Sequence, residues 1–173
     1  TNTISGITRG INGTTAAEHN DGSTVTDITD FVGWGDASSS STVTVEPANW
    51  SLDNFGNVLI ATVHNGRTFT WNPLDTNALQ TRAVIGTGMP TKSVMTIVSD
   101  RDRHLFHLGT ETTIGTASTQ DKMFIRFSDQ ESTSDYAPTS TNTAGTFRLD
   151  DGTRIVGAFK DKDYILVLTD TAA

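Results

Sequence analysis

Val58-Leu59-Ile60-Ala61-Thr62-Val63-His64-Asn65-Gly66-Arg67-Thr68-Phe69-Thr70-Trp71 decides the fold class. The first six residues are an apolar, β-branched run suited to a strand. Asn65-Gly66 is the strongest short hairpin signal, because a tight primed turn needs positive φ at both central residues. Arg67 to Trp71 then alternates polar and aromatic side chains, the period of two that sends one face inward. Asn72-Pro73 ends the run. These residues predict a hairpin with strands at 58–63 and 67–71.

The same grammar recurs downstream. Strands are expected at 93–98 and 104–108 around a polar turn at 100–103, and another at 122–127. After a Ser/Thr/Asn/Pro loop at 132–146 come strands at 146–149, 154–159 and 164–169, with turns at 150–152 and 161–163. No stretch of twelve residues carries a 3.6-residue apolar stripe. The nearest is Thr76 to Val84, where a single turn is expected. Strands without intervening helices imply antiparallel sheets. Trp71-Asn72, Phe127-Ser128-Asp129 and Leu168-Thr169-Asp170 mark successive unit ends at blade-sized spacing. The predicted fold is all-β: part of a β-propeller of two to three blades, with a β-sandwich as the alternative.

Residues 1–49 are polar and loop-rich, with short strand-like pieces such as Thr42-Val43-Thr44-Val45 after the Ser38–Ser41 run. Residues 50–173 form the antiparallel β domain. The chain starts at Thr1 and stops just after an apolar run, so a fragment of a longer polypeptide is expected.

Apolar residues make up 35%, below the globular average, and Thr, Ser, Asn, Asp and Gly fill the deficit, which favours half-exposed strands and turns. A net charge of −8 argues against a nucleic-acid-binding face. Acidic walls would let DNA slide through a lumen without specific binding. The absence of cysteine excludes disulfides and thiolate zinc sites. No apolar run approaches the roughly 18 residues of a membrane helix.

Candidate chemistry is sparse. His104 and His107 lie three apart on a strand and point to opposite faces, so no shared metal is expected; His104 is expected to be exposed. The acidic pairs Asp100/Asp102, Asp150/Asp151 and Asp161/Asp163 fall in turns, where Asp bonds nearby amides. Ser51-Leu52-Asp53-Asn54-Phe55-Gly56 resembles the Asp-box turn of sialidase-like propellers, with its Gly one residue late. Arg67, Arg126, Arg148 and Arg154 have no spacing that links them. No serine-nucleophile or phosphate-loop motif occurs. Trp34, Trp50, Trp71, Phe55, Phe124 and Phe127 are expected in the core or at subunit contacts, or as a stacking platform for sugars or bases. No catalytic, cofactor-binding or metal-binding residue is expected, and no enzyme activity.

From Trp50 on, the chain resembles a family of tailed-bacteriophage virion structural proteins. The residues that carry this are Trp50 to Gly56, Trp71-Asn72-Pro73, Met123 to Glu131, Asn142 to Gly145, Gly152 to Ala158 and Leu168 to Ala172, across roughly 120 residues. Thr8 to His19 also resembles phage structural modules. The resemblance implies a β-rich or propeller-like tail (nozzle or tube) or head–tail component of the virion. Its partners would be copies of itself in a ring and neighbouring virion proteins. The loops at 36–42 and 129–146 would make those contacts. The alternative is a carbohydrate-binding or glycan-hydrolysing propeller module at a host-contact surface.

Overall fold

Among the described residues ten short strands build three antiparallel sheets in strict chain order. The computed structural model describes residues 49–75, 78, 81–161 and 163–171. The predicted strand at 42–45, the loop at 36–42 and Trp34 lie outside these residues. The first sheet is a meander of β1 (Trp50–Phe55), β2 (Val58–Val63), β3 (Thr68–Trp71) and β4 (Val84–Ile85). The second repeats the meander with β5 (Met95–Val98), β6 (Leu105–Leu108), β7 (Phe124–Phe127) and β8 (Gly145–Arg148). The third is the two-stranded pair β9 (Ile155–Lys160) and β10 (Ile165–Thr169). Among the described residues no helix is long and apolar enough to cross a membrane. Four-stranded meanders of this size are blade-like units, and equally the sheets of a small sandwich.

The second sheet is the middle layer. Its β5 touches β1 and β2 on one side and β9 on the other. Side-chain alternation divides its residues between two cores. Val98 and Leu105 join Phe55, Ile60, Met89 and Tyr136 against the first sheet. Ile97, Leu108 and Ile125 join Met123 and Ile155 against the hairpin, with Ala158, Ile165 and Val167 packed over them. The first sheet's far face is apolar as well, and there Trp50, Leu52 and Ile85 stay exposed.

Several expectations change. Residues 50–55 form β1, an ordinary strand, rather than an Asp-box turn; it closes on β2 through Gly56-Asn57, and Gly56 takes φ +62. The hairpin at 58–71 forms, but the turn is one residue wider than predicted. Thr62 pairs with Thr68, Val63 N donates to Arg67 O at 3.1 Å, and of the Asn65-Gly66 pair Asn65 alone has positive φ, at 54°. Gly66 instead bridges to Ser93. Where a single turn was expected near Thr76, consecutive backbone turns run through Asp75, Ala78 and Thr81. The two-residue β4 that follows had no sequence signal. The unit marks are also out of phase. Trp71 and Phe127 each end a third strand, whereas Leu168 lies at the end of a second. Of the aromatics expected in the core or at subunit contacts, Phe55 is core and Trp50 is exposed, as a contact residue would be.

The 129–144 loop folds back on its own chain. Asp129 accepts from Thr143 N at 2.8 Å and Thr143 Oγ1 at 2.7 Å, and Tyr136 is buried. These bonds to Thr143 hold the Asp129 carboxyl below its ordinary range. Gly88 seats the loop: it has φ +71, and a Cβ there would lie 2.2 Å from Ser134 O. Gly115 has φ +82 with nothing within 4 Å. Gly88→Ala is therefore expected to cost about 3 kcal/mol and Gly115→Ala about 1 kcal/mol, since both meet left-handed strain and Gly88 alone meets a backbone clash. Urea unfolding of the two variants checks the difference.

Candidate functional site

A groove of about 380 Å³ opens between the second sheet and the β9–β10 hairpin. Phe106, Leu108, Ile125, Phe127 and Phe147 line it from the sheet, and Tyr164, Ile165 and Val167 from the hairpin. Its rim is charged, with Asp100, Arg101, Asp102, Lys160, Asp161 and Asp163. Phe106 and Phe127 are cross-strand partners with ring centroids 5.3 Å apart. His104 adds an edge-on ring 5.7 Å from Phe127, and its Nδ1 donates to Ser128 O at 2.8 Å. It is thus half-buried rather than exposed, because the strand alternation places it beside Phe106. Phe147 remains 58% exposed over the open end.

The rim couples all three sheets. Lys160 on β9 donates to Asp53 of β1 at 2.8 Å and to Asp100 in the β5–β6 turn at 3.1 Å. Partial burial works against the ammonium, but the two carboxylates outweigh it and raise the lysine above its ordinary value. Arg101 approaches Asp163 at 3.8 Å and Asp102 at 3.9 Å. Of the acidic turn pairs, Asp100/Asp102 and Asp161/Asp163 thus meet at one rim, which turn chemistry alone does not predict. Asp150/Asp151 stays apart, where Asp151 accepts from Thr171 at 3.1 Å.

Sequence reasoning missed the role of Ser51 and Asp53. Residues two apart share a face, and these two meet the free edge of β5. Thr96 N donates to Ser51 Oγ at 3.1 Å and Val98 N to Asp53 Oδ2 at 2.8 Å. The side chains of one sheet thereby satisfy the edge amides of the next, a direct answer to the exposed-edge problem. The hydroxyls of Thr62, Thr68 and Thr96 continue inward at 2.7 Å spacings.

Below lies a second buried chain. Thr110 Oγ1 must donate to the Lys92 carbonyl, at 2.8 Å. It therefore accepts from Ser93 Oγ at 3.1 Å, and Ser93 in turn accepts from His107 Nδ1 at 2.9 Å. That leaves His107 Nε2 to accept from the Tyr136 hydroxyl at 3.1 Å. One carbonyl thus assigns every proton in the chain. A Ser–His contact is the geometry of an activated nucleophile, but Ser93, His107 and Thr110 have no exposed surface. No substrate reaches them, and the pair is a structural bond. His107 and His104 lie on opposite faces of one strand segment, as read from the sequence, and among the described residues no group of three metal-ligating side chains gathers.

Of the four unlinked arginines, Arg126 is buried beside this chain. Its guanidinium donates to Thr112 O at 2.8 Å and Tyr136 O at 3.3 Å, while Nε has no partner. Glu111, fully buried, accepts from the Thr91 amide and hydroxyl and, at 2.7 Å, from Gly115 N. Arg148 pairs with Asp121 at 2.8 Å. The structure brings no two of the four together at the groove.

Burial, and secondarily the charge of Arg126, lowers His107 to about 3. The unfolded chain takes up this proton near pH 6.5, so stability contributed by neutral His107 is full above that pH and is lost as pH falls toward 3. From pH 7 to pH 5 the loss from this group is about 2 kcal/mol, and His107→Gln should flatten the slope of unfolding free energy by that amount even though the variant is less stable throughout. Lys160→Met should cost about 1 kcal/mol at low ionic strength and less in high salt, because the cluster is partly exposed; thermal melts in both buffers check it.

No protein-family model matches the chain, and neither a curated protein nor a solved structure matches it.

Proposed function

We propose that the chain is a structural component of a tailed-bacteriophage virion, in the tail (nozzle or tube) or at the head–tail joint, and that it acts by oligomeric assembly. The observation that carries this reading is the state of the third sheet. Among the described residues two sheets have four strands and the third has two. Among the described residues nothing pairs along the outer edge of β10, and two more strands would cover that edge and the aromatic floor beside it by laying apolar side chains on Phe127 and Phe147. Apolar surface is also open at both ends of the stack, with Trp50 and Leu52 on one outer face and Phe159 and Leu166 on the other. A stack of open sheets with apolar ends suits extension by neighbouring sheets into a ring. The net charge of −8 suits a lumen through which DNA passes without sticking.

A second reading is a glycan-binding or glycan-hydrolysing module, favoured by the four aromatic rings and the acidic rim of the groove. Hydrolysis needs one carboxyl group free to act as acid and another as base or nucleophile. Asp100 is held by Lys160 and Asp102 lies beside Arg101, which favours binding over turnover.

Electron microscopy of the native particle or the purified full-length protein separates the readings. Assembly predicts a closed ring with a central channel. Phe147→Asp and Phe159→Asp should reduce ring formation with little change in melting temperature, since both side chains are exposed. A dispersed monomer that binds or cleaves glycans on an array would overturn the assembly reading.

A further inference from the structure

A second, smaller pocket has the opposite electrostatic character. It encloses about 180 Å³, and His64, Asn65, Lys122 and Arg154 line it together with the apolar Val94 and Ile155. Among the described residues no Asp or Glu lines it. In a chain of net charge −8, a concavity whose charged lining residues among those described are Lys122 and Arg154 is against the trend. The backbone builds it: Ile155 N donates to Lys122 O at 3.0 Å, so the residues that carry Arg154 and Lys122 are held side by side.

Two described acids close to these residues in the chain or across the hairpin are already engaged. Asp121, next to Lys122 in the chain, accepts from Arg148 at 2.8 Å. Asp170 accepts from the Thr153 amide at 2.8 Å and from its hydroxyl. Among the described residues all ion pairs use Arg101, Arg103, Arg148 or Lys160, and the side chains of Lys122 and Arg154 bond to no other described residue. Asn65 Oδ1 accepts from Gln120 at 3.2 Å, which leaves its amide group as a donor.

We infer that this pocket binds a small oxyanion group, a phosphate, sulfate or carboxylate, through Arg154, Lys122, His64 and the Asn65 amide. The planar guanidinium matches two oxygens at once, and the ammonium supplies a point charge. The apolar wall of Val94 and Ile155 lowers the local dielectric and strengthens both. This inference does not depend on the assembly reading.

The test is amide-shift titration of the isotope-labelled chain with inorganic phosphate, with N-acetylneuraminate, and with sodium chloride at matched ionic strength. Saturable shifts centred on residues 64–65, 122 and 154–156, absent with chloride, are expected. Lys122→Gln with Arg154→Gln should weaken binding at least about tenfold with an unchanged melt, since both side chains are exposed, whereas Arg101→Gln should leave it intact. Saturation by phosphate alone identifies a phosphoryl or inorganic source, and tighter saturation by N-acetylneuraminate identifies an acidic sugar. Linear shifts matched by chloride, shifts spread equally over Lys92 and Arg101, or undiminished binding by the double variant would overturn the proposal.

Discussion

The Lys92 carbonyl is the anchor on which the inner structure depends. It can only accept, so it forces the direction of the bonds through Thr110, Ser93, His107 and Tyr136. These residues come from the approach to β5, from β6, from the segment after it, and from the long 129–144 loop. Buried polar groups are costly unless satisfied, and a complete chain leaves one arrangement in which all of them are. An all-apolar interface would hold the same sheets with less definition of register. Directional bonds between hydroxyls and an imidazole make a shifted register expensive. Arg126 Nε is the one buried side-chain polar atom among the described residues without a partner.

A similar logic joins the layers. The first sheet reaches the second through Ser51 and Asp53, which cap the amides at the edge of β5. Asp53 also accepts from Lys160, so one carboxylate touches all three sheets. Capping by side chains lets the sheets stack without sharing strands, so the successive meanders remain separate hydrogen-bonded units. Among the described residues no further strand pairs with the hairpin at the far side. The groove between the hairpin and the second sheet has an aromatic floor and a charged rim. In the cationic pocket the backbone bond between Ile155 and Lys122 holds two charge-bearing positions together.

How much of this was legible varied with distance along the chain. The strand runs at 58–63, 124–127 and 165–168 are apolar and β-branched enough to declare themselves. Turns rich in Asp, Asn and Gly separated them at nearly the right places. β1 was hidden because Asp53 and Asn54 disfavour strands, and the tertiary bonds to Val98 and Lys160 outweigh that preference. Tyr136 was hidden in a Ser/Thr/Asn-rich loop, where nothing local shows that a ring reaches the core. The Asn65 turn was recognised, yet its width was decided by Gly66 bridging to Ser93, a residue 27 positions away.

The sequence by itself determined the all-β class, the antiparallel pairing of neighbouring strands and the placement of the two histidines on opposite faces. These depend on the period-two alternation and on turn residues, information carried by positions two to five apart. Tertiary structure alone decided which strands cap which, where His107 finds its two partners, and which charges share a rim or a pocket. Ser51 and Thr96 are 45 residues apart and Asp53 and Lys160 are 107 apart. No local pattern encodes such meetings. They arise when three stacked layers bring distant side chains within hydrogen-bonding reach, where burial makes every unsatisfied donor costly.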